Sequence, residues 1–312
     1  AKGALLTLEA LGVDTLCFGS ECGDLEALTH IAKIYIEEPP LYKEILKSLL
    51  SSGFSYPAAR AKATKEYTKN KMDESIFTSP NNILGIKYIQ TILTENLSIK
   101  PITIERKGSS YHNENVTLNY PSATALRKSI YTKEPIWKNA IPENSLHQIT
   151  SFCPLTRDDF SDMLYYHLLH SSEEELLLIK DMTPSLCNRI KSFLREYESI
   201  LQYTELLKSK QYTYTRISRV FFQSLIGIKT FESPSYIRVL ALKKEASVLL
   251  KKKNQKLPII QRVAKADSLL SKDASAILNK DLDSSKLYRY ICFKKYGIKL
   301  PDDYQSGTIV FD

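Results

Sequence analysis

The alternation of apolar and polar positions divides the first 131 residues into helical and extended segments. Two short apolar runs, Thr15–Phe18 and Pro101–Glu105, are typical of buried strands. Between them, apolar residues recur at the spacing of a helix with one buried face, over Asp24–Glu37, Leu41–Leu50, Ala58–Thr68 and Ile83–Thr94. Two buried strands separated by helices predict an α/β domain with a parallel sheet and helical crossovers.

From about residue 135 the pattern becomes helical. Three amphipathic stretches predict helices: "TRDDFSDMLYYHLLHSSEEELLLI" (156–179), "TPSLCNRIKSFLREYESILQYTELLKSK" (183–210) and "SYIRVLALKKEASVLLKKKN" (235–254). The stretch "TKEPIWKNAIPENS", rich in Pro and Asn, marks the seam. We therefore predict an α/β domain over residues 1–134 and a mainly α-helical domain over residues 135–312.

The first residues already follow a helical pattern. Leu5, Leu8 and Leu11 lie on its apolar stripe, and Gly12 ends it just before the first strand. A helix that feeds directly into a strand is the second half of an α/β unit. The pattern therefore predicts that this chain is truncated at its front.

Composition indicates a cytosolic globular protein. The 312 residues are 43% hydrophobic and 25% charged, as in soluble domains. No apolar run approaches the roughly 18 residues of a membrane span, and no signal peptide opens the chain. The five cysteines are scattered, which favours reduced thiols in the cytoplasm over a disulfide framework or a metal site.

The net charge of +8 is concentrated in one segment. Residues 208–265 contain fourteen Lys and Arg but only Glu232 and Glu245, a balance of +12 that leaves −4 for the rest of the chain. Such asymmetry suggests a polyanionic partner, although a solvated helix face would also explain it. Aromatic residues alternate with the cations in "KQYTYTRISRVFFQSL", so stacking on bases is possible alongside a role in the core.

Candidate binding residues follow the predicted strands, where parallel sheets bind ligands. Gly19 follows the first strand and allows close approach of a ligand to the backbone. Arg106 and Lys107 follow the second strand and open a loop of small residues. The next helix begins near Ser122 and Thr124, with Arg127 one turn later, an arrangement that suits phosphate.

Each of these signals has a structural alternative: a strand-ending turn, a solvated loop and a plain N-cap with a surface arginine. Together they predict a Rossmann-like site of the nucleotidylyltransferase type. Such a site positions ATP, usually with Mg²⁺, for attack at the α-phosphate.

Two asparagines, Asn81 and Asn82, directly precede an apolar helix. One amide would suffice as an N-cap, which leaves the other available for a ligand.

Five strings resemble the bacterial tRNA(Met) cytidine acetate ligase family: "GVDTLCFGSECGD", "GFSYPAARA", "SPNNILGIKYI", "SATALRKSI" and "YTYTRISRVFFQSLIGI". The resemblance implies a nucleotidylyltransferase-like domain followed by a helical tRNA-binding domain. It implies a ligase that converts acetate and ATP to acetyl-adenylate and then acetylates the wobble cytidine of elongator tRNA(Met) to N4-acetylcytidine. It assigns ATP contacts to Gly19, Asn81, Arg106 and Lys107, with Asn82 capping or bracing the helix.

The resemblance also implies features that this sequence lacks. The family has a hydrophobic residue at the position of Lys107, so we expect a backbone contact there. Its first strand and the His-containing loop that grips the ATP phosphates would lie before Ala1. The catalytic residues are therefore expected there, and this chain alone is expected to be inactive. Ser122, Thr124 and Arg127 are assigned to the phosphate side only by analogy with the wider fold.

In the basic segment we expect five residues to face RNA: Arg216, Arg219, Lys251, Lys252 and Lys253. Two alternatives remain open, a nucleotidylyltransferase that acts on a small molecule and a non-catalytic tRNA-binding relative. Steep salt dependence of nucleic-acid binding is expected for a phosphate-contacting protein and would favour the RNA interpretation.

Overall fold

The computed structural model describes residues 1–106, 123–132, 138, 140–143, 145–146, 154–230, 233–251 and 256–312. The chain forms two compact units, Ala1–Pro154 and Leu155–Asp312. The predicted seam between residues 134 and 135 falls in a stretch that lies largely outside the described residues. The predicted roles of the two domains therefore stay predictions.

The first unit contains a parallel two-stranded sheet and, over the described residues up to 132, seven helices. The strands are β1 (Thr15–Ser20) and β2 (Lys100–Glu105). The helices are α1 (Lys2–Ala10), α2 (Leu25–Glu37), α3 (Pro40–Ser51), α4 (Tyr56–Tyr67), α5 (Ser75–Thr78), α6 (Pro80–Thr94) and α7 (Ala123–Tyr131). The predicted parallel pairing is confirmed, with a register that runs from Thr15 opposite Lys100 to Ser20 opposite Glu105.

The expectation that both strands are buried is wrong for one face of the sheet. Ile102 and Ile104 are 45% and 63% exposed, and Cys17, opposite Ile102, is also exposed. The other face carries Phe18, which packs against the core formed by α2 and α6. Side chains alternate between faces along a strand, so a sheet covered on one side buries only every second residue.

The close packing of α6 on β1 depends on a glycine. A Cβ atom at Gly85 would lie 2.4 Å from Cε2 of Phe18, so only glycine lets the helix approach the strand this closely. The buried residues Ile86 and Ile89 then reach Leu28 and Ile31 of α2. This packing brings the first residues of α6 to the carboxyl end of β1.

The second unit begins with helices packed around one core. They are α8 (Ser161–His170), α9 (Glu173–Leu177), α10 (Pro184–Ser192), α11 (Ile200–Leu207) and α12 (Tyr214–Ile226). Leu164, Ile190, Tyr203 and Phe221 are fully buried between them. The predicted helical character of residues 156–210 is confirmed as several short helices in place of two long ones.

The predicted helix over residues 235–254 is wrong. This stretch forms β3 (Ile237–Arg238), β4 (Ala241–Lys243) and a 3-10 segment (Lys244–Lys251). β3 pairs with β5 (Ile259–Ile260), and β4 pairs with β6 (Ile309–Phe311), both in parallel. The amide groups of Ile237 and Val239 donate to Pro258 O and Ile260 O, at 2.9 and 3.0 Å. These long-range hydrogen bonds take the place of the helical ones.

A helix that the sequence analysis did not predict runs over Lys272–Tyr296 and is named α13. Its signals are present in the sequence: the Ser271 side chain caps the first turn, and Gly297 ends the helix with φ +72°. Its apolar face packs Leu278 and Leu282 against Ile260. Among the described helices, none combines the length and apolar character needed to span a membrane.

Candidate nucleotide-binding edge of the sheet

The carboxyl edge of the two-stranded sheet brings together residues that are far apart in sequence. Gly19 lies within β1, one residue before its end, and a Cβ atom at this position would be 3.0 Å from Cγ of Arg106. The amide of Arg106 donates to Ser20 O at 2.9 Å, which holds the residue beside the strand. The structure therefore joins two of the predicted binding residues, Gly19 and Arg106, at one point.

Asn82 is a fully buried brace between this edge and the helices. Its Oδ1 accepts hydrogen bonds from the amides of Glu21, at 2.8 Å, and Cys22, at 3.2 Å. Its Nδ2 donates to Ser75 O at 3.0 Å. An amide side chain carries an acceptor and donors on separate atoms, so it can bridge the two segments without a charge. The expected bracing role of Asn82 is thus seen, although it braces the strand-end loop and α5 and does not cap α6.

Glu21, and not Asn82, caps the first turn of α6. Its Oε1 accepts from the Asn81 amide at 3.2 Å and from Asn81 Nδ2 at 2.7 Å, and its Oε2 accepts from the Asn82 amide at 2.8 Å. Partial burial raises the pKa of the Glu21 carboxyl, but these hydrogen bonds outweigh it and hold the pKa below its ordinary value. An ionised Glu21 therefore neutralises the positive end of the α6 dipole.

The loop after β1 is fixed by further short contacts. Ser20, which is fully buried, shares a 2.7 Å hydrogen bond with Thr103 of the neighbouring strand and accepts from the Gly23 amide at 3.0 Å. Gly23 has φ +63°, and a Cβ atom there would lie 2.8 Å from Cβ of Glu105. Glu21 and Ser20 were not singled out by sequence reasoning. Their only signal was their position directly after Gly19 in "FGSE".

The other predicted residues on the phosphate side are less closely tied to this edge. Thr124 lies in the first turn of α7 and Arg127 one turn later, and both are exposed. Of the described hydrogen bonds and ion pairs, none joins Thr124 or Arg127 to Gly19, Asn81 or Arg106. Lys107 and Ser122 lie outside the described residues.

Two predicted RNA-facing residues lie on α12 and contact the turn before α10. Arg219 Nε lies 3.0 Å from Asp181 Oδ2, and Arg216 donates to Asp181 O at 3.2 Å. Arg219 remains half exposed in this pair. Lys251 ends a 3-10 segment, whereas Lys252 and Lys253 lie outside the described residues.

Two aromatic residues of the same segment are core residues and are not available for stacking on bases. Tyr212 is 3% exposed and shares a 2.9 Å hydrogen bond with Thr183. Phe221 is fully buried and stacks on Tyr203 at 5.7 Å between ring centroids. Tyr214 is only partly buried and accepts a 3.0 Å hydrogen bond from Arg157. Tyr212, just before α12, and Phe221, on its buried face, therefore belong to the helical core.

The described residues hold no group of three or more His, Cys, Asp or Glu that could bind a metal ion. Cys17 and Cys22, the pair with the closest spacing in the sequence, are both free thiols. Mg²⁺ commonly binds to nucleotide phosphates with one or two protein carboxylates. Glu21 already accepts three hydrogen bonds, so it does not fit this role.

Comparison with known proteins agrees with this architecture. The chain is 33% identical to a tRNA(Met) cytidine acetate ligase of Clostridium perfringens, over all of this chain and 79% of the relative. It is 34% identical to one of Oceanobacillus iheyensis, over 85% of this chain and 70% of the relative.

Solved structures show the same fold at lower sequence identity. Thermotoga maritima TmcAL, in a crystal structure without ligand, matches with a TM-score of 0.89 and 24% identity, over 99% of this chain and 80% of that chain. A second crystal structure of that protein, bound with alpha-thio ATP, matches with a TM-score of 0.86. The HIGH Nucleotidyl Transferase family model matches residues 1–300. The chain therefore belongs to the HIGH nucleotidyl transferase family and, within it, to the tRNA(Met) cytidine acetate ligases.

Proposed function

We propose that this protein is an ATP-dependent ligase that acetylates tRNA. It forms acetyl-adenylate from acetate and ATP and transfers the acetyl group to N4 of the wobble cytidine in elongator tRNA(Met). The names of the curated relatives support this reaction. The alpha-thio ATP bound to the Thermotoga maritima protein supports ATP as the nucleotide that is used. For this chain, the proposal rests on the close approach of Arg106 to Gly19 at the carboxyl edge of the sheet.

The reaction has two steps. A carboxylate oxygen of acetate attacks the α-phosphorus of ATP, the bond to the β-phosphate breaks, and pyrophosphate leaves with the electron pair. The N4 amine of cytidine then attacks the acetyl carbonyl carbon, a C–N bond forms, AMP leaves and N4 loses a proton. Both steps are accelerated mainly by alignment of the reactants and neutralisation of phosphate charge.

We assign the nucleotide to the edge formed by Gly19, Asn81 and Arg106. The absence of a side chain at Gly19 leaves room for Arg106 beside the strand, and the bare backbone of Gly19 is proposed to contact the nucleotide. Arg106 is exposed, and no carboxylate among the described residues lies within ion-pair distance of it, so its charge can serve a phosphate. Lys107 is proposed as a backbone contact, and Ser122, Thr124 and Arg127 as residues of the phosphate side. Mg²⁺ would arrive with the ATP phosphates.

We propose that the second unit binds the tRNA. Its support is the charge of +12 over residues 208–265. Arg216, Arg219 and Lys251–Lys253 are proposed to contact RNA phosphates. We propose a cytoplasmic location, because the five scattered cysteines are typical of a protein in a reducing compartment.

The proposal is tested by incubating the protein with labelled acetate, ATP and Mg²⁺, with and without tRNA(Met). We expect label in the RNA only with ATP, and at N4 of cytidine after nuclease digestion. A folded, ATP-binding protein that leaves the RNA unlabelled would contradict the proposal.

The same assay separates the two alternatives. Release of pyrophosphate that does not require tRNA would favour a small-molecule nucleotidylyltransferase. Tight tRNA binding without consumption of ATP would favour a non-catalytic tRNA-binding relative.

A further inference from the structure

The Asn81 side chain is held in one orientation by Glu21. Asn81 Nδ2 lies 2.7 Å from Glu21 Oε1, and that carboxylate also accepts the backbone amides of Asn81 and Asn82. An ionised carboxylate can only accept hydrogen bonds, so the Asn81 atom that faces it must be the NH₂ group. The carbonyl oxygen Oδ1 of Asn81 therefore points away from the Glu21 carboxylate.

This orientation leaves the carbonyl oxygen Oδ1 as the unused atom of Asn81. Among the residues that the structure describes, none donates a hydrogen bond to it, and the side chain is only partly buried. The backbone amides of Asn81 and Asn82, in contrast, are not available to a ligand, because they donate to Glu21. A phosphate at this point would meet the negative charge of Glu21.

We propose that Glu21 is a positioning residue that makes Asn81 a hydrogen-bond acceptor for the nucleoside part of the nucleotide. The group that Asn81 recognises is a neutral donor, either a ribose hydroxyl or the exocyclic amine of the base. The phosphates lie on the side of Arg106. This inference rests on the proposed function, since it specifies how one residue of that nucleotide site reads its ligand.

The inference is tested with nucleotides that each lack one donor. 2′-Deoxy-ATP and 3′-deoxy-ATP each lack a ribose hydroxyl, and inosine triphosphate carries a carbonyl in place of the amine. Equilibrium binding by the unaltered protein is expected to be about three- to tenfold weaker for one analogue than for ATP, the effect of one lost hydrogen bond. The analogue that loses affinity identifies the donor.

The variants then test the role of Glu21. Asn81→Ala removes the acceptor, so the ratio of ATP to analogue affinity should fall to about one. Glu21→Gln introduces an NH₂ group, which lets the Asn81 amide turn over, and should lower the same ratio while Asn81 is still present. The matched control is Glu26→Gln on the exposed side of α2, which should leave the ratio unchanged. If both site variants weaken ATP and every analogue by one common factor, Glu21 and Asn81 serve only to hold α6, and the inference is overturned.

A second measurement requires no nucleotide and so separates this inference from the proposed function. The Glu21 carboxyl is titrated by ¹³C NMR in the free protein and in Asn81→Ala. The hydrogen bond from the Asn81 side chain lowers the pKa of Glu21, so its removal should raise that pKa. An unchanged pKa would contradict the fixed orientation, whereas failure of the unaltered protein to bind ATP would count against the proposed function.

Discussion

At the scale of residues, the edge of the sheet is organised by exchanged hydrogen bonds between two short segments. Asn82 accepts the amides of Glu21 and Cys22, and Glu21 in turn accepts the amides of Asn81 and Asn82. Each segment thereby satisfies the backbone groups that the other leaves unpaired, at a strand end in one case and a helix start in the other. The result is a rigid edge beside Gly19 and Arg106.

Arg106 and Lys100 stand at opposite ends of β2 and form a matched pair for mutation. We expect Arg106→Gln to weaken ATP binding roughly tenfold or more, because a charge-assisted hydrogen bond to phosphate is lost. Lys100→Gln removes the same charge at the other end of the strand and should leave ATP binding unchanged. Calorimetric titration measures both, and equal losses in the two variants would mean that only net charge matters.

The stability of the protein should depend on pH through Glu21. Its pKa is lower in the folded protein than the ordinary value of 4.5. A carboxyl with a depressed folded pKa stabilises the fold above its unfolded pKa, and this contribution is lost as the pH falls through the folded pKa. We therefore expect Glu21→Gln to destabilise the protein at pH 7, with the difference from the unaltered protein shrinking below pH 4.5.

Urea unfolding of both proteins between neutral pH and pH 3 measures this difference. Glu26→Gln, on an exposed position of α2, is the control and should show no such pH dependence. A difference for Glu21→Gln that stays constant over the whole range would show that the carboxylate charge is not involved.

At the scale of elements, the contact between α6 and β1 determines where the edge forms. Gly85 lets Phe18 pack against the helix, and the aromatic ring of Phe18 also lies 5.8 Å from that of Tyr88, measured between centroids. The helix therefore contributes a glycine and an aromatic residue to the contact. A larger residue at position 85 would move the start of α6 away from Glu21.

Gly85→Ala should destabilise the protein by about 1–3 kcal/mol, the usual effect of adding a methyl group to a packed site. A double-mutant cycle with Phe18→Leu tests the cause, since the smaller side chain leaves room for the new methyl group. The cost of Gly85→Ala should be clearly smaller in the Phe18→Leu background. Equal costs in both backgrounds, measured by urea unfolding, would rule out the contact with Phe18 as the source.

At the scale of the whole molecule, charge and chemistry are divided between different parts of the chain. The predicted nucleotide residues lie in the first unit, and the basic segment of residues 208–265 lies in the second. The exposed charge of this segment is partly offset, as where Arg219 pairs with Asp181. The three consecutive lysines at positions 251–253 provide a second test of the RNA proposal.

Replacement of Lys251, Lys252 and Lys253 by Ala should weaken tRNA binding and lower the salt slope of log K by about 2, if each lysine neutralises one phosphate. The control replaces two lysines of the first unit, Lys43 and Lys47 of α3, with no expected effect on the slope. Fluorescence anisotropy between about 50 and 200 mM KCl measures the slope. An unchanged slope in the triple variant would remove these lysines from the RNA interface.

The sequence alone determined the order of the two strands and of the longer helices between them, because apolar period and caps are local properties, whereas the four-residue α5 was not predicted. It also determined the pairing of β1 with β2, since helical crossovers impose parallel strands. Gly19, Asn81 and Arg106 could be proposed from their places at strand and helix ends and from the resemblance to a family. The residues that resemble that family needed no coordinates to be found.

Only the tertiary structure decided which partner each polar group has. That Glu21 caps α6 across sixty residues, and that Asn82 braces the loop after β1, depends on how closely Gly85 lets two elements pack. The same holds for β3 and β4, where long-range pairing replaced a helix that the local pattern favoured. Local sequence sets the preference of a segment, but hydrogen bonds between distant segments decide among structures of similar local energy.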